Sequence, residues 1–297
     1  MRYVLASSFF FVLFAQVFGQ STQPIKLQVN GVELHYIEKG QGEALILIHG
    51  GIGDYRSWNS QLQAFAPDYQ VISYSRRYHY PNQNALLATN HSALIEAKDL
   101  AAFLKKLKFK RVHLVGQSYG ALTALFFAIK HPEMVRTLVL GEPPAHQLIR
   151  NSSDGEAIYQ NFMTNTWKPA AEAFRKGEDK RALDVLALGI AGKGFNELPP
   201  AAQASQLENA LSMKSLTLSS NPFSVVTSDE LTRLKVPVLI LTGENTTRIH
   251  RRVTQELARL IPKAKEVTIP RSSHPMPSDN PQVFNETVRE FLRASKR

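Results

Sequence analysis

The chain has 297 residues, 43% of them hydrophobic, which suffices for one large core with an insertion and excludes a disordered or low-complexity protein. Its 35 lysines and arginines against 25 acidic residues leave a formal charge of +10, and there is no cysteine. Disulfides, thiolate metal sites and a lipid-modified N-terminal cysteine are therefore excluded. The basic residues are scattered, with short clusters at Lys105-Lys106-Lys108-Lys110-Arg111 and Arg248-Arg251-Arg252. No zinc-finger spacing or aromatic-basic pattern accompanies them, so a solvated basic surface and no nucleic-acid partner are expected.

The first 19 residues form a separate unit. Arg2 precedes a mostly apolar run from Val4 to Phe18, and Val17 and Gly19 allow cleavage before Gln20. The run is short and poorly flanked for a membrane span. A signal peptide at 1–19 and an exported, periplasmic or secreted mature chain at 20–297 are expected, without stable membrane insertion. The alternative is a tether through an uncleaved N-terminal segment.

Ile25-Leu27-Val29 and Val32-Leu34-Tyr36 alternate around Asn30-Gly31, which predicts a hairpin. Buried strands are predicted at Ala44 to Ile48 and Tyr69 to Tyr74. A helix follows from Ser92 to Leu107, with Leu94, Ala97, Ala101, Leu104 and Leu107 on its apolar face. Val112 to Val115 is an apolar run, Ala121 to Ile129 has helical periodicity, and Gly116-Gln117-Ser118-Tyr119-Gly120 stands between them. A G-x-S-x-G sequence in that setting is a nucleophile elbow, with Ser118 at the apex of a sharp strand-to-helix turn. The helix N-terminus beneath it supplies unsatisfied N–H groups where an oxyanion would form.

A further strand is predicted at Val135 to Leu140. From Pro143 to Leu234 there is no continuous β-branched run, and helical stretches appear at Gly155 to Thr166, Ala170 to Lys176 and Pro200 to Met213. Alternation then resumes with a strand at Val238 to Leu241, a helix around Thr254 to Leu260, a strand at Lys265 to Ile269 and a terminal helix from Gln282 to Leu292. The pattern predicts an α/β fold, a mostly parallel doubly wound sheet with a helical cap at 143–234 inserted after the sixth strand.

A serine nucleophile needs a base within hydrogen-bond reach, itself oriented by an acid. Among nine histidines, His274 follows the last strand in the loop Arg271-Ser272-Ser273-His274-Pro275-Met276. Loops at the carboxyl ends of parallel strands are where such sheets build their sites. His113 lies within the elbow strand and reads as packed. His79, His91, His131, His146 and His250 lack such delivery and read as structural or solvated.

These landmarks together resemble the α/β-hydrolase family over nearly the whole mature sequence. His49-Gly50-Gly51 after the third strand, the Ser118 elbow, the helical insertion and Ser273-His274-Pro275 match its order. The resemblance implies Ser118 as nucleophile, His274 as general base and an oxyanion hole from the backbone N–H groups of Tyr119 and Gly51, with Ile52 the neighbouring alternative to Gly51. It gives His49 a supporting place in the loop.

The acid departs from the family's commonest pattern, because Thr246 stands where an aspartate is usual, in Leu241-Thr242-Gly243-Glu244-Asn245-Thr246-Thr247. Some relatives carry the acid after the strand that precedes the cap, where this chain has Glu142 in Leu140-Gly141-Glu142-Pro143-Pro144. Glu142 preserves the order Ser, acid, His. Glu244 and a Ser-His dyad are the alternatives. Arg76 and Arg77, in Tyr74-Ser75-Arg76-Arg77-Tyr78, are either locally paired or bind an anionic substrate at the rim. Trp58, Trp167 and Phe223 are either pocket or core residues.

Relatives that dehalogenate or open epoxides use aspartate at the elbow, so Ser118 points to acyl transfer. The expected activity is hydrolysis of an ester, lactone or similar small carbonyl substrate through an acyl-enzyme. No metal is needed, and His49-Gly50-Gly51-Ile52-Gly53 lacks the spacing of a dinucleotide fingerprint, so no cofactor is expected. The alternatives are a catalytically silent ligand-binding protein, or a carbon–carbon bond hydrolase or cofactor-free perhydrolase using the same triad. The sequence says nothing of oligomeric state.

Overall fold

A computed structural model describes residues 23–87 and 89–295, and the expected leader at 1–19 lies outside the described residues. Eight strands form one sheet: β1 (Ile25–Val29), β2 (Val32–Lys39), β3 (Ala44–Ile48), β4 (Gln70–Tyr74), β5 (Val112–Gln117), β6 (Val135–Gly141), β7 (Val238–Gly243) and β8 (Lys265–Ile269). Their order is β1-β2-β4-β3-β5-β6-β7-β8. The β1–β2 and β2–β4 pairs are antiparallel and all the others parallel. The β1–β2 hairpin closes at Val29 opposite Val32. Its turn residues Asn30 and Gly31 have φ of 47° and 74°, the paired positive values a two-residue type I′ turn requires.

The strands β3, β5 and β7 are buried along their whole length. Their side chains alternate between two apolar layers, as the twofold period of a strand dictates. Ile46, Ile48, Leu114, Leu138, Leu140 and Ile240 face one layer, covered by helices α2 (Ala93–Lys106) and α3 (Tyr119–Lys130). Leu45, Leu47, Val115, Val139, Leu239 and Leu241 face the other. That layer is covered by α1 (Asn59–Phe65) and by the terminal helix, α12 (Pro281–Ala294). The buried stripe of α2 is Ala93, Ala97, Leu100, Phe103 and Leu104, and it includes Glu96. Leu94, Ala101 and Leu107 of the expected face are only partly buried, because Glu96 turns inward to an arginine.

Between β6 and β7 every regular element is helical: α4 (Ser153–Phe162), α5 (Lys168–Arg175), α6 (Asp179–Ala191), α7 (Pro200–Glu208), α8 (Ala210–Thr217) and α9 (Ser228–Thr232). The stretch expected as one helix to Thr166 leaves α-geometry after Phe162 and continues as a π-helical turn, Met163–Trp167. The single helix expected over Pro200–Met213 is two, broken at Asn209. The Asn209 side chain donates to Asp54 and accepts from the Tyr80 N–H, so a tertiary contact overrides helix continuity there. After β7 come α10 (Arg248–Leu260), which begins six residues before the expected helix at Thr254, and α11 (Met276–Asp279). No described helix is long and apolar enough to cross a membrane.

Candidate active site

Between the last residue of β5, Gln117, and the first of α3, Tyr119, only Ser118 makes the turn. Its backbone stands at φ 54° and ψ −124°, a conformation that side-chain-bearing residues adopt only under constraint. The constraint is visible at the flanking glycines. A Cβ on Gly120 would lie 2.2 Å from the carbonyl oxygen of Ile48 and 2.3 Å from that of His49. One on Gly116 would lie 2.6 Å from Cα of Ala121. The Ser118 N–H donates to the Gly141 carbonyl at 2.6 Å, tying the apex to the end of β6. Tyr119 opens α3, so its N–H is among those a helix cannot satisfy internally.

Glu142 immediately follows β6, with φ of 46° and a fully buried side chain. One carboxylate oxygen accepts from the Thr242 hydroxyl at 3.0 Å and the Gly243 N–H at 2.8 Å. The other accepts from the Thr246 hydroxyl at 2.9 Å and from His274 Nδ1 at 2.6 Å. Four donors on two oxygens offset the cost of burying the charge. Thr246, where the resemblance places an aspartate, thus donates to a carboxylate delivered from the neighbouring strand. Glu244 is exposed, and its carboxylate accepts from the Arg271 N–H at 2.7 Å.

His274 is buried, and its carbonyl accepts from the Gln117 side chain at 2.7 Å, which pins its loop to the elbow strand. Because a carboxylate only accepts, the 2.6 Å contact puts a proton on Nδ1, and in the neutral ring the lone pair is then on Nε2. That Nε2 is buried and has no hydrogen-bond partner. His274 and Ser118 line one cavity of about 380 Å³, and Gly51, Ile52 and Tyr119 line it too. The structure therefore brings together every residue expected at the site, with Ser118 and His274 sharing the cavity and Glu142 behind the histidine.

The loop after β3 is held from beneath. Arg76, itself buried, donates to the carbonyls of His49 at 3.1 Å and Gly50 at 2.9 Å, and its N–H donates to His49 Nε2 at 3.1 Å. The same guanidinium pairs with buried Glu96, which also receives the Thr123 hydroxyl at 2.9 Å and contacts His91 at 3.1 Å. Burial pushes Glu96 upward, but Arg76 and then His91 outweigh it and hold the carboxyl at about 2. Burial, with Arg76 beside it, lowers His49 to about 3. Arg77 pairs with Asp99 at 2.7 Å. Both arginines are thus locally paired, and neither lines the cavity.

Trp58, Trp167 and Phe223 all line the cavity while remaining buried. His146 and His250, expected to be structural or solvated, line it too, and both are buried. The His250 ring stacks on His274 with centroids 3.9 Å apart and planes 13° from parallel. Their sequence neighbourhoods carry no motif, and only the tertiary fold brings α10 and the residues after Glu142 to His274. Glu142, His250 and His274 hold potential ligand atoms within 4.8 Å of one another, but a metal there would displace the Glu142–His274 hydrogen bond.

A serine elbow at the carboxyl edge of a mostly parallel sheet, roofed by a helical insertion, defines the α/β class of hydrolases. The α/β-hydrolase fold profile matches residues 43–281, and the chain belongs to that family of enzymes. Over 282 residues it is 28% identical to 2-hydroxy-6-oxononadienedioate/2-hydroxy-6-oxononatrienedioate hydrolase of Burkholderia vietnamiensis, covering 89% of this chain and 93% of that one. It is 31% identical over 142 residues to the uncharacterized hydrolase YraK of Bacillus subtilis, and there it spans about half of that relative's length, 52%. The crystal structure of carboxylesterase CesB (YbfK) from Bacillus subtilis superposes with a TM-score of 0.72 at 20% identity, covering 91% of each chain.

Proposed function

We propose that the protein hydrolyses an ester, lactone or related small carbonyl compound through an acyl-enzyme on Ser118. The observation that carries this reading is the 2.6 Å Glu142–His274 contact behind a base whose free Nε2 lies buried at the cavity it shares with Ser118. His274 takes the Ser118 proton as the hydroxyl attacks the carbonyl carbon. The oxyanion is received by the N–H of Tyr119 and that of Gly51 or its neighbour Ile52, each donor worth on the order of 3 kcal/mol of barrier. Protonated His274, its charge balanced by Glu142, passes the proton to the departing alcohol, and a water repeats the sequence to release the acid. Every step is a proton transfer or an addition–elimination at one carbonyl.

The test is kcat/KM on p-nitrophenyl esters of increasing chain length. Ser118→Ala is expected to lower it at least about a thousandfold, the scale of losing a triad member. Equal rates for the two proteins would overturn the reading. The name of the Burkholderia relative favours a second reading, cleavage of a carbon–carbon bond beside a ketone by the same triad. Turnover of a vinylogous 1,5-diketone above that of the esters would select it. The apolar run at 1–19 supports export of the chain, and N-terminal sequencing of the secreted protein should begin at Gln20.

A further inference from the structure

We propose that His146 reads an uncharged hydrogen-bonding oxygen, an oxo or hydroxyl group, that the substrate carries away from its scissile carbonyl. The inference deepens the hydrolase reading and rests on it. His146 lies four residues past Glu142, at the start of the short helical turn His146–Asn151, and is 1% exposed. Its ring sits among aromatic neighbours, 4.9 Å from Phe162 and 4.5 Å from Phe223 between centroids, and lines the catalytic cavity. Neither Nδ1 nor Nε2 has a hydrogen-bond partner. On the side toward the base, His250 stands between, 6.4 Å from His146 and stacked on His274.

Packing alone does not account for an imidazole here. A phenylalanine would fill the same aromatic niche without leaving two polar nitrogens unpaired, and an unpaired buried polar atom costs about 1–3 kcal/mol. The cost is recovered when a ligand bonds the nitrogens, and a site built that way rejects analogues lacking the matching group. Burial, with His274 adding to it, lowers His146 to about 3, so the ring is neutral in ordinary buffers. A neutral imidazole offers one donor and one acceptor, which suits a hydroxyl or ketone oxygen better than a carboxylate. Trp58, Trp167, Met213 and Leu216 give the cavity apolar walls, and its other polar lining includes Ser57, Gln206 and Lys193, so His146 is the polar group set among the aromatic rings of Phe162 and Phe223.

The experiment compares isosteric substrate pairs in two series. One holds p-nitrophenyl esters of acids with an oxo group at carbon 4, 5 or 6, each against its methyl-branched isostere. The other holds acetate esters of the correspondingly substituted alcohols. The wild-type protein is expected to prefer the oxo member by more than about tenfold in kcat/KM in one series. In His146→Phe the ratio should fall to near one, whereas His146→Asn, which keeps a donor and an acceptor, should retain a preference. Ratios at or below one in both series, or an unchanged ratio in His146→Phe, would overturn the proposal. Should His146→Phe fail to fold, the wild-type ratio and its retention in His146→Asn decide. Fluorophosphonate labelling of the wild-type protein separates the two failures, since a labelled enzyme without preference leaves the hydrolase reading standing.

Discussion

In the proposed triad Glu142 takes the acid's part, and Thr246 donates to its carboxylate. That carboxylate comes from the end of β6, and the end of β7 and the loop after it supply Thr242, Gly243 and Thr246 as donors to it. Glu142→Gln would put an amide among donors, so one N–H must face another donor and His274 loses its anionic partner. We expect kcat to fall by roughly a hundredfold to ten-thousandfold, the range seen when a triad acid is neutralised. Glu244→Gln, which alters only an exposed contact to the Arg271 N–H, should stay within about twofold by the usual behaviour of surface substitutions. The opposite pattern in steady-state kinetics would reassign the acid. The places of Ser118, His274 and Glu142 are legible in the sequence because each lies past the carboxyl end of a strand, and Ser118 also sits within the G-x-S-x-G pattern. The cavity positions of His146 and His250 are not legible there, because they depend on which distant segments fold against them.

In the proposed mechanism the loop after β3 bears one oxyanion donor, and its carbonyls at His49 and Gly50 are held by Arg76. Removing one member of a fully buried ion pair strands the other, a loss of about 3–5 kcal/mol. Arg76→Met should therefore lower the urea midpoint strongly, and the double variant Arg76→Met/Glu96→Gln should cost less than the sum of the two singles. Additive costs in a double-mutant cycle would show that the pair is not coupled. The fully buried strands β3, β5 and β7 are legible to within two residues because a parallel strand covered on both faces reads as a mainly apolar run. The insertion was less so: α6 went unrecognised, and Asn209 breaks a helix for the sake of Asp54 and Tyr80, a contact no local pattern encodes.

At the scale of the whole molecule, the buried histidines tie stability to pH. His49 and His146 are held at about 3, mainly by burial, against about 6.5 when unfolded. Because the folded values are depressed, their stability is complete above pH ~6.5 and is lost as pH falls toward 3, at about 1.4 kcal/mol per pH unit per group. Glu96, held at about 2, adds a further loss as pH falls from ~4.3 toward 2. Thermal unfolding should therefore show Tm declining below pH ~6 and more steeply below ~4.5, with a shallower first limb in His146→Phe. A flat profile between pH 7 and 5 would contradict the buried neutral state of these rings. The proposed reaction turns on the serine at the elbow, and mass spectrometry after reaction with a fluorophosphonate reads that residue directly. We predict a single adduct on the peptide containing Ser118, absent from Ser118→Ala and slowed in Glu142→Gln. A folded wild-type protein that remains unlabelled, or carries its adduct on another residue, would contradict it.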